Sequence, residues 1–134
     1  MHRVLEFDEA AATRSVVLKN LLSGTVDRCF DDSELVSSDS NFSFMRLNGE
    51  YDCKIVLFGE FAMAEDEKAI CCKILERDVL IGKKMFFKVW VGQDEYYIRK
   101  PEPDTTVGSD TIYFHCTRKD LRQVNHVIHA DLQR

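Results

Sequence analysis

The sequence predicts an α+β fold: a strongly bent antiparallel sheet or small barrel of about seven or eight short strands, with an N-terminal and a C-terminal helix. Three observations predict it. Apolar residues recur at spacings of three and four near both ends of the chain. The middle instead alternates apolar and polar residues with period two. Gly, Asn-Gly and Pro punctuate that middle at short intervals, as hairpin turns and loops require.

In chain order, FDEAAATRSVVLKNLLSG (7–24) reads as the first helix. Asp8 is placed to cap it, Glu9 suits its first turn, and Gly24 lies where it would stop. Val17, Leu18, Leu21 and Leu22 form its apolar face, with Ala10, Ala11 and Arg14 one to two turns earlier. TVDRCF (25–30) is a short strand, followed by the turn-like DDS. In NFSFMRLNGEYDCKIVLF (41–58), Asn48-Gly49 predicts a hairpin, because both residues tolerate positive φ. Tyr51, Cys53, Ile55 and Leu57 alternate on its second arm. EFAMAEDEKAICCKIL (60–75) reads as a second hairpin with a charged tip at Ala64 to Lys68, although its AICCKIL stretch fits a helix too, and KKMFFKVWVGQDEYYIRK (83–100) as a third, turning at Gly92-Gln93-Asp94. Pro101 to Ser109 is a loop and DTIYFHC (110–116) a last strand. Thr117 and Asp120 then resemble a capping box ahead of Leu121, Val124, Val127, Ile128 and Leu132, which predicts the closing helix.

Length and composition set the bounds. The 134 residues fit a single domain, 1–134, with 45% apolar and 31% charged residues, the balance of a folded chain able to bury a core without a metal or disulfides. The net charge of −5 argues against general binding to nucleic acid or anionic membranes. The opening MHRVLEFDEAAATR has no apolar leader pattern, and no apolar run approaches a membrane span, so a cytoplasmic protein is expected. The cysteines, Cys29, Cys53, Cys71, Cys72 and Cys116, are odd in number and lack a CxxC, and are expected to be reduced.

The patterns that carry chemistry are sparse. On a helix His126 and His129 would share a side, with His115 and Cys116 just before, and two imidazoles with a thiolate could hold zinc. The spacing matches no zinc signature, and no metal or other cofactor is expected. No GxSxG elbow, Walker loop or GxGxxG is present. Acidic groups at Asp27, Asp31, Asp32 and Glu34 and at Glu65 to Glu67 lack a calcium-loop glycine and read as solvated tips or a docking surface. Residues 83–100 set five cations against Asp94 and Glu95 and interleave them with aromatics. Trp90, Tyr96, Tyr97, Lys88 and Arg99 are therefore the candidate partner-binding residues. The same pattern could stack single-stranded nucleic acid, but alternation sends half of the rings into the core.

Arg118 and Arg122 form an RxxxR pair ahead of Val124, Ile128 and Leu132. This stretch, Arg118 to Leu132, resembles the opening of PilZ domains, the cyclic-di-GMP receptors. The resemblance implies that the two arginines grip the dinucleotide phosphates. It also implies that the chain is an N-terminal companion domain, as in YcgR-type proteins. The DxSxxG that completes a PilZ site does not follow, and the nearest echo, NFSFMR, precedes the arginines with Arg46 in the glycine position. The function expected first is a non-enzymatic interaction module (adaptor, chaperone or inhibitor) binding another protein or a second copy of itself. The PilZ accessory role comes second, and an enzyme with dispersed catalytic residues third.

Overall fold

The computed structural model describes all residues, 1–134, and overturns the α+β expectation: 55% of the chain is strand and only 6% helical. Ten strands run in the order β1 (His2–Glu9), β2 (Arg14–Asn20), β3 (Val26–Asp31), β4 (Glu50–Tyr51), β5 (Cys53–Phe61), β6 (Ile70–Ile81), β7 (Lys84–Val91), β8 (Asp94–Arg99), β9 (Thr111–Val124) and β10 (Val127–Ile128). The helical residues are one four-residue turn, α1 (Ser33–Val36), and a 3₁₀ turn at Ala130–Gln133. Neither expected terminal helix exists.

Where the N-terminal helix was expected, β1 and β2 form a hairpin that continues into β3. Alternation wins locally: Val16 and Leu18 are fully buried while Leu21 and Leu22 are exposed. The three alanines, good helix formers with little to bury, span the β1–β2 turn, closed by a hydrogen bond from Ala10 N–H to the Thr13 carbonyl. Gly24 has φ +81°, a conformation that a helix end would use as well. Here it completes the β2–β3 turn, in which the Asn20 side chain accepts from the Leu22 and Ser23 N–H groups.

The C-terminal helix is replaced by the second half of β9, the turn at Asn125 and the short β10. Two β-bulges explain the misreading. The β5–β9 register skips Thr117 between the Phe58↔Arg118 and Gly59↔Cys116 pairs. It skips Arg122 between Ile55↔Leu121 and Lys54↔Gln123. Each extra residue exchanges the two faces of the strand, so inward positions fall at Phe114, Leu121 and Val124 and imitate helical spacing. Gly59 belongs to the first bulge. A Cβ there would lie 1.9 Å from the His115 carbonyl oxygen, a distance that excludes any side chain.

Strands β9, β5, β8, β7 and β6 pair in that order, and β6 returns to β9 through Ile70–Lys73, closing a ring. The β1–β3 meander extends from β9 by a parallel contact at Phe30↔Asp120, with β4 on its outer edge. Two expected hairpins dissolve in this arrangement. Asn48 does take positive φ, but β4 pairs with β1 instead of with residues 41–47. The segment with the charged tip crosses over β9, which lies between β5 and β6. The Gly92 hairpin forms as expected. One large core fills the interior, with Phe42, Phe87, Ile98 and Leu121 among its largest members. A smaller cluster lies on the other face, where Leu132 of the C-terminal turn covers Val56, Ile81, Phe86 and Tyr97.

Candidate functional site: a cleft at Trp90

The outer face of β7 carries Lys84, Phe86, Lys88 and Trp90, because alternate residues of a strand share a face. Phe86 is spent in the smaller core, but Trp90, at the β7 end, keeps 41% of its surface exposed. Opposite it stands the β2–β3 turn. That turn is tied to the start of β8 by Ser23 Oγ and Thr25 Oγ1, which donate to the two oxygens of Asp94 at 2.5 and 2.7 Å. The clamp holds Leu22, 95% exposed, on the facing wall. Between the walls lies a cleft of ≈ 440 Å³, with Cys53 and Tyr97 among its lining residues and Met1 contributing further apolar surface.

Charges of both signs border the cleft. Lys88 sits between Glu95 at 3.5 Å and Glu76 at 4.0 Å. The Lys54 ammonium lies 5.7 Å from the Tyr97 ring centre. Burial pushes the Cys53 thiol up to about 12 and the Tyr97 hydroxyl up to about 12, and lowers the pKa of His2, so these lining groups stay neutral at pH 7. The cleft therefore sets the apolar side chains of Leu22, Trp90 and Met1 among a mostly polar lining, with Lys54 and Lys88 balanced by Asp52 and Glu95.

The other residues named by the sequence fall elsewhere. Tyr96 is buried in the main core, where its hydroxyl donates to Asp27 at 2.7 Å and the Lys119 ammonium reaches the same carboxylate. Arg99, at the opposite end of the hairpin, lies over Phe86. Sequence reasoning missed Leu22, Met1 and the Asp94 clamp. Leu22 had been assigned to a helix face, and Asp94 meets Ser23 across 71 positions of sequence.

The proposed histidine–thiolate set is not assembled. His126 is exposed in the β9–β10 turn, and Cys116 is a half-buried residue of β9. His129 is fully buried, with its Nε2 2.6 Å from Asp32 Oδ1 and its Nδ1 accepting from the Asp131 N–H at 3.1 Å. That pattern places the proton on Nε2 and leaves neither nitrogen free. Asp32, His129 and Asp131 do bring three ligand atoms within 4.8 Å of one another. Arg122 already occupies the Asp32 oxygen at 3.2 Å, however, and a cation there opposes a second one. Burial alone would raise the Asp32 pKa, but the His129 hydrogen bond and Arg122 outweigh it and hold it below the ordinary value.

Arg118 and Arg122 are on a strand, not on a helix. Both point to Asp120, which is 1% exposed and accepts from Arg118 Nε at 2.5 Å and Arg122 Nη2 at 3.2 Å. Arg118 is also packed between Phe30 and Phe58, 4.6 Å from each ring centre. The pair is neutralised by Asp120 and Asp32, which ties β9 to the segment after β3. All five cysteines are free thiols, with Cys71 the exposed one. No helix is long and apolar enough to cross a membrane. No protein-family model, curated protein or solved structure matches this chain.

Proposed function

We propose that the chain is a protein-binding module that seats an apolar side chain of another protein in the Trp90 cleft. The observation that carries this reading is the pairing of a nearly bare Leu22 with a half-exposed Trp90 across one concave site whose rim is charged. Interface energy concentrates in such places: an aromatic anchor in a pocket, ringed by polar groups that exclude water. Covering Leu22 alone is worth about 1.5–3 kcal/mol. The Asp94 clamp fixes the facing wall before a partner arrives, which lowers the ordering cost of binding.

The test compares affinity capture by the wild-type chain, Trp90→Ala, Leu22→Ser and a control, Met63→Ser, altered at an exposed apolar residue on the β5–β6 loop. A partner recovered by the wild type and the control but lost with both cleft variants supports the reading. Equal recovery by all four, or none by the wild type, overturns it. Sedimentation of the same proteins distinguishes a second copy of this chain as the occupant. A cyclic-di-GMP titration against wild type and the Arg118→Ala, Arg122→Ala double variant tests the alternative role. That role would require both arginines to leave their carboxylates.

A further inference from the structure

Ten of the eighteen Lys and Arg side chains are ion-paired, as befits a chain with 23 acids. Of the remaining eight, Lys83, Lys84 and Arg99 line one groove of ≈ 550 Å³ at the far end of the β7–β8 hairpin from Trp90. Lys100 is a fourth cation there, paired with Asp78 and, at 4.0 Å, with Asp104, and Glu102 is the one acidic residue in the lining itself. Lys83, Lys84 and Arg99 make no ion pair, and like charges held close together raise one another's energy, although an acidic protein has carboxylates to spare for them. Their concentration in a groove therefore points to a negative charge that comes from outside.

We propose that this groove is a binding site for the phosphate oxygens of a phosphate-bearing ligand, an ester or a polyphosphate. The hairpin tip that presents Lys83 and Lys84 is fixed, because the Lys83 N–H donates to the Leu132 carbonyl at 2.7 Å. The Lys100 N–H donates to the Met85 carbonyl at 3.0 Å, which anchors the opposite wall. The donors are thus borne on a preformed frame, and the two lysines and Arg99 offer ammonium and guanidinium groups suited to phosphate oxygens. No exposed ring is available for stacking: Phe86 is buried beneath Arg99. The groove selects charge and not a base. Leu80, 61% exposed at its edge, would suit a ligand with an acyl chain as well as a soluble one, so the phosphate can be a free ester or a lipid headgroup.

The experiment uses two probes: tripolyphosphate followed by ¹H–¹⁵N NMR and calorimetry, and phosphatidylcholine vesicles with or without phosphatidylglycerol followed by co-sedimentation. The proteins are the wild type, Lys83→Gln/Lys84→Gln, and Lys19→Gln/Lys73→Gln, which removes two exposed unpaired lysines elsewhere. Amide shifts at Lys83, Lys84, Arg99 and Lys100, with binding about tenfold weaker in the first double variant and unchanged in the second, support the site. If only the phosphatidylglycerol vesicles bind, with the same dependence on Lys83 and Lys84, the source is a headgroup. Binding of neither probe, equal binding by all three proteins, or equal weakening in both double variants overturns the proposal. Matching melting temperatures and undisturbed NMR spectra show that the variants are folded.

Discussion

Tyr96→Phe isolates one hydrogen bond to a buried charge. Asp27 projects inward from β3 with 5% exposure and holds two partners, the Tyr96 hydroxyl from β8 and the Lys119 ammonium from β9. The substitution keeps the ring, which is 4% exposed, and deletes only the donor. A hydrogen bond to an ionised group is worth about 1.5–3 kcal/mol, and Lys119 remains to hold the carboxylate. A loss of about 2 kcal/mol is therefore expected. Urea unfolding at pH 7 reads it as a lower midpoint at unchanged slope; with a slope of about 1.5 kcal/mol per molar, the midpoint falls by about 1.3 M. Alkaline pH supplies a second reading. Burial, followed by the contact with Asp27, raises the Tyr96 pKa well above its ordinary value. Above about pH 10 the unfolded tyrosine gives up its proton while the folded one keeps it, so the unfolded state binds fewer protons and stability falls. The gap between wild type and Tyr96→Phe must then close with rising pH, by at most about 1.4 kcal/mol per pH unit. A variant less than about 0.5 kcal/mol weaker, with a gap that ignores pH, would refute the role given to this hydrogen bond.

Three more outcomes are expected. Leu18→Asp should cost several kcal/mol, about 3 or more, because it places an unpaired charge in the core, whereas Leu21→Asp, on a turn, should shift the urea midpoint little; equal effects would restore the helix reading. A thiol reagent in native buffer should label Cys71 first, with Cys29, Cys53 and Cys72 reacting only on unfolding, since burial raises their pKa values, those of Cys53 and Cys72 to about 12; fast labelling of Cys29 would contradict the buried β3 face. In acid, Asp32→Asn should lose less stability than the wild type as pH falls below about 4. There the unfolded Asp32 takes up a proton that the folded one, held by His129 and Arg122, resists; identical acid limbs would remove Asp32 from the ion-pair account.

How much of this was legible can be argued from single elements. The Gly92 hairpin was, because a two-residue turn and its alternating arms are adjacent in sequence. So was the buried face of β5, with Cys53, Ile55 and Leu57. The end of β9 was not, because two bulges shift the strand's phase, and bulges arise from pairing with β5 that no local pattern announces. The N-terminal hairpin was lost to Ala10–Ala12 and Gly24, residues whose preferences suit a helix and its stop as well as two turns. At the candidate site, Trp90 and Lys88 were named from their strand. Leu22 was not, because its neighbours there are brought by Asp94. Arg122 and His129 likewise meet Asp32 across 90 and 97 positions, and only the fold reveals that these groups neutralise one another.

If the proposed role is right, the Trp90 cleft is the surface another protein covers. Hydrogen exchange by mass spectrometry, on the free chain and on the chain bound to its captured partner, tests this most directly. Slowed exchange is expected in the β2–β3 turn at 21–25 and across 88–97, with the loop at 62–69 unchanged. Protection confined to that loop or to the outer edge of β1, with the cleft segments exchanging as in the free chain, would contradict it.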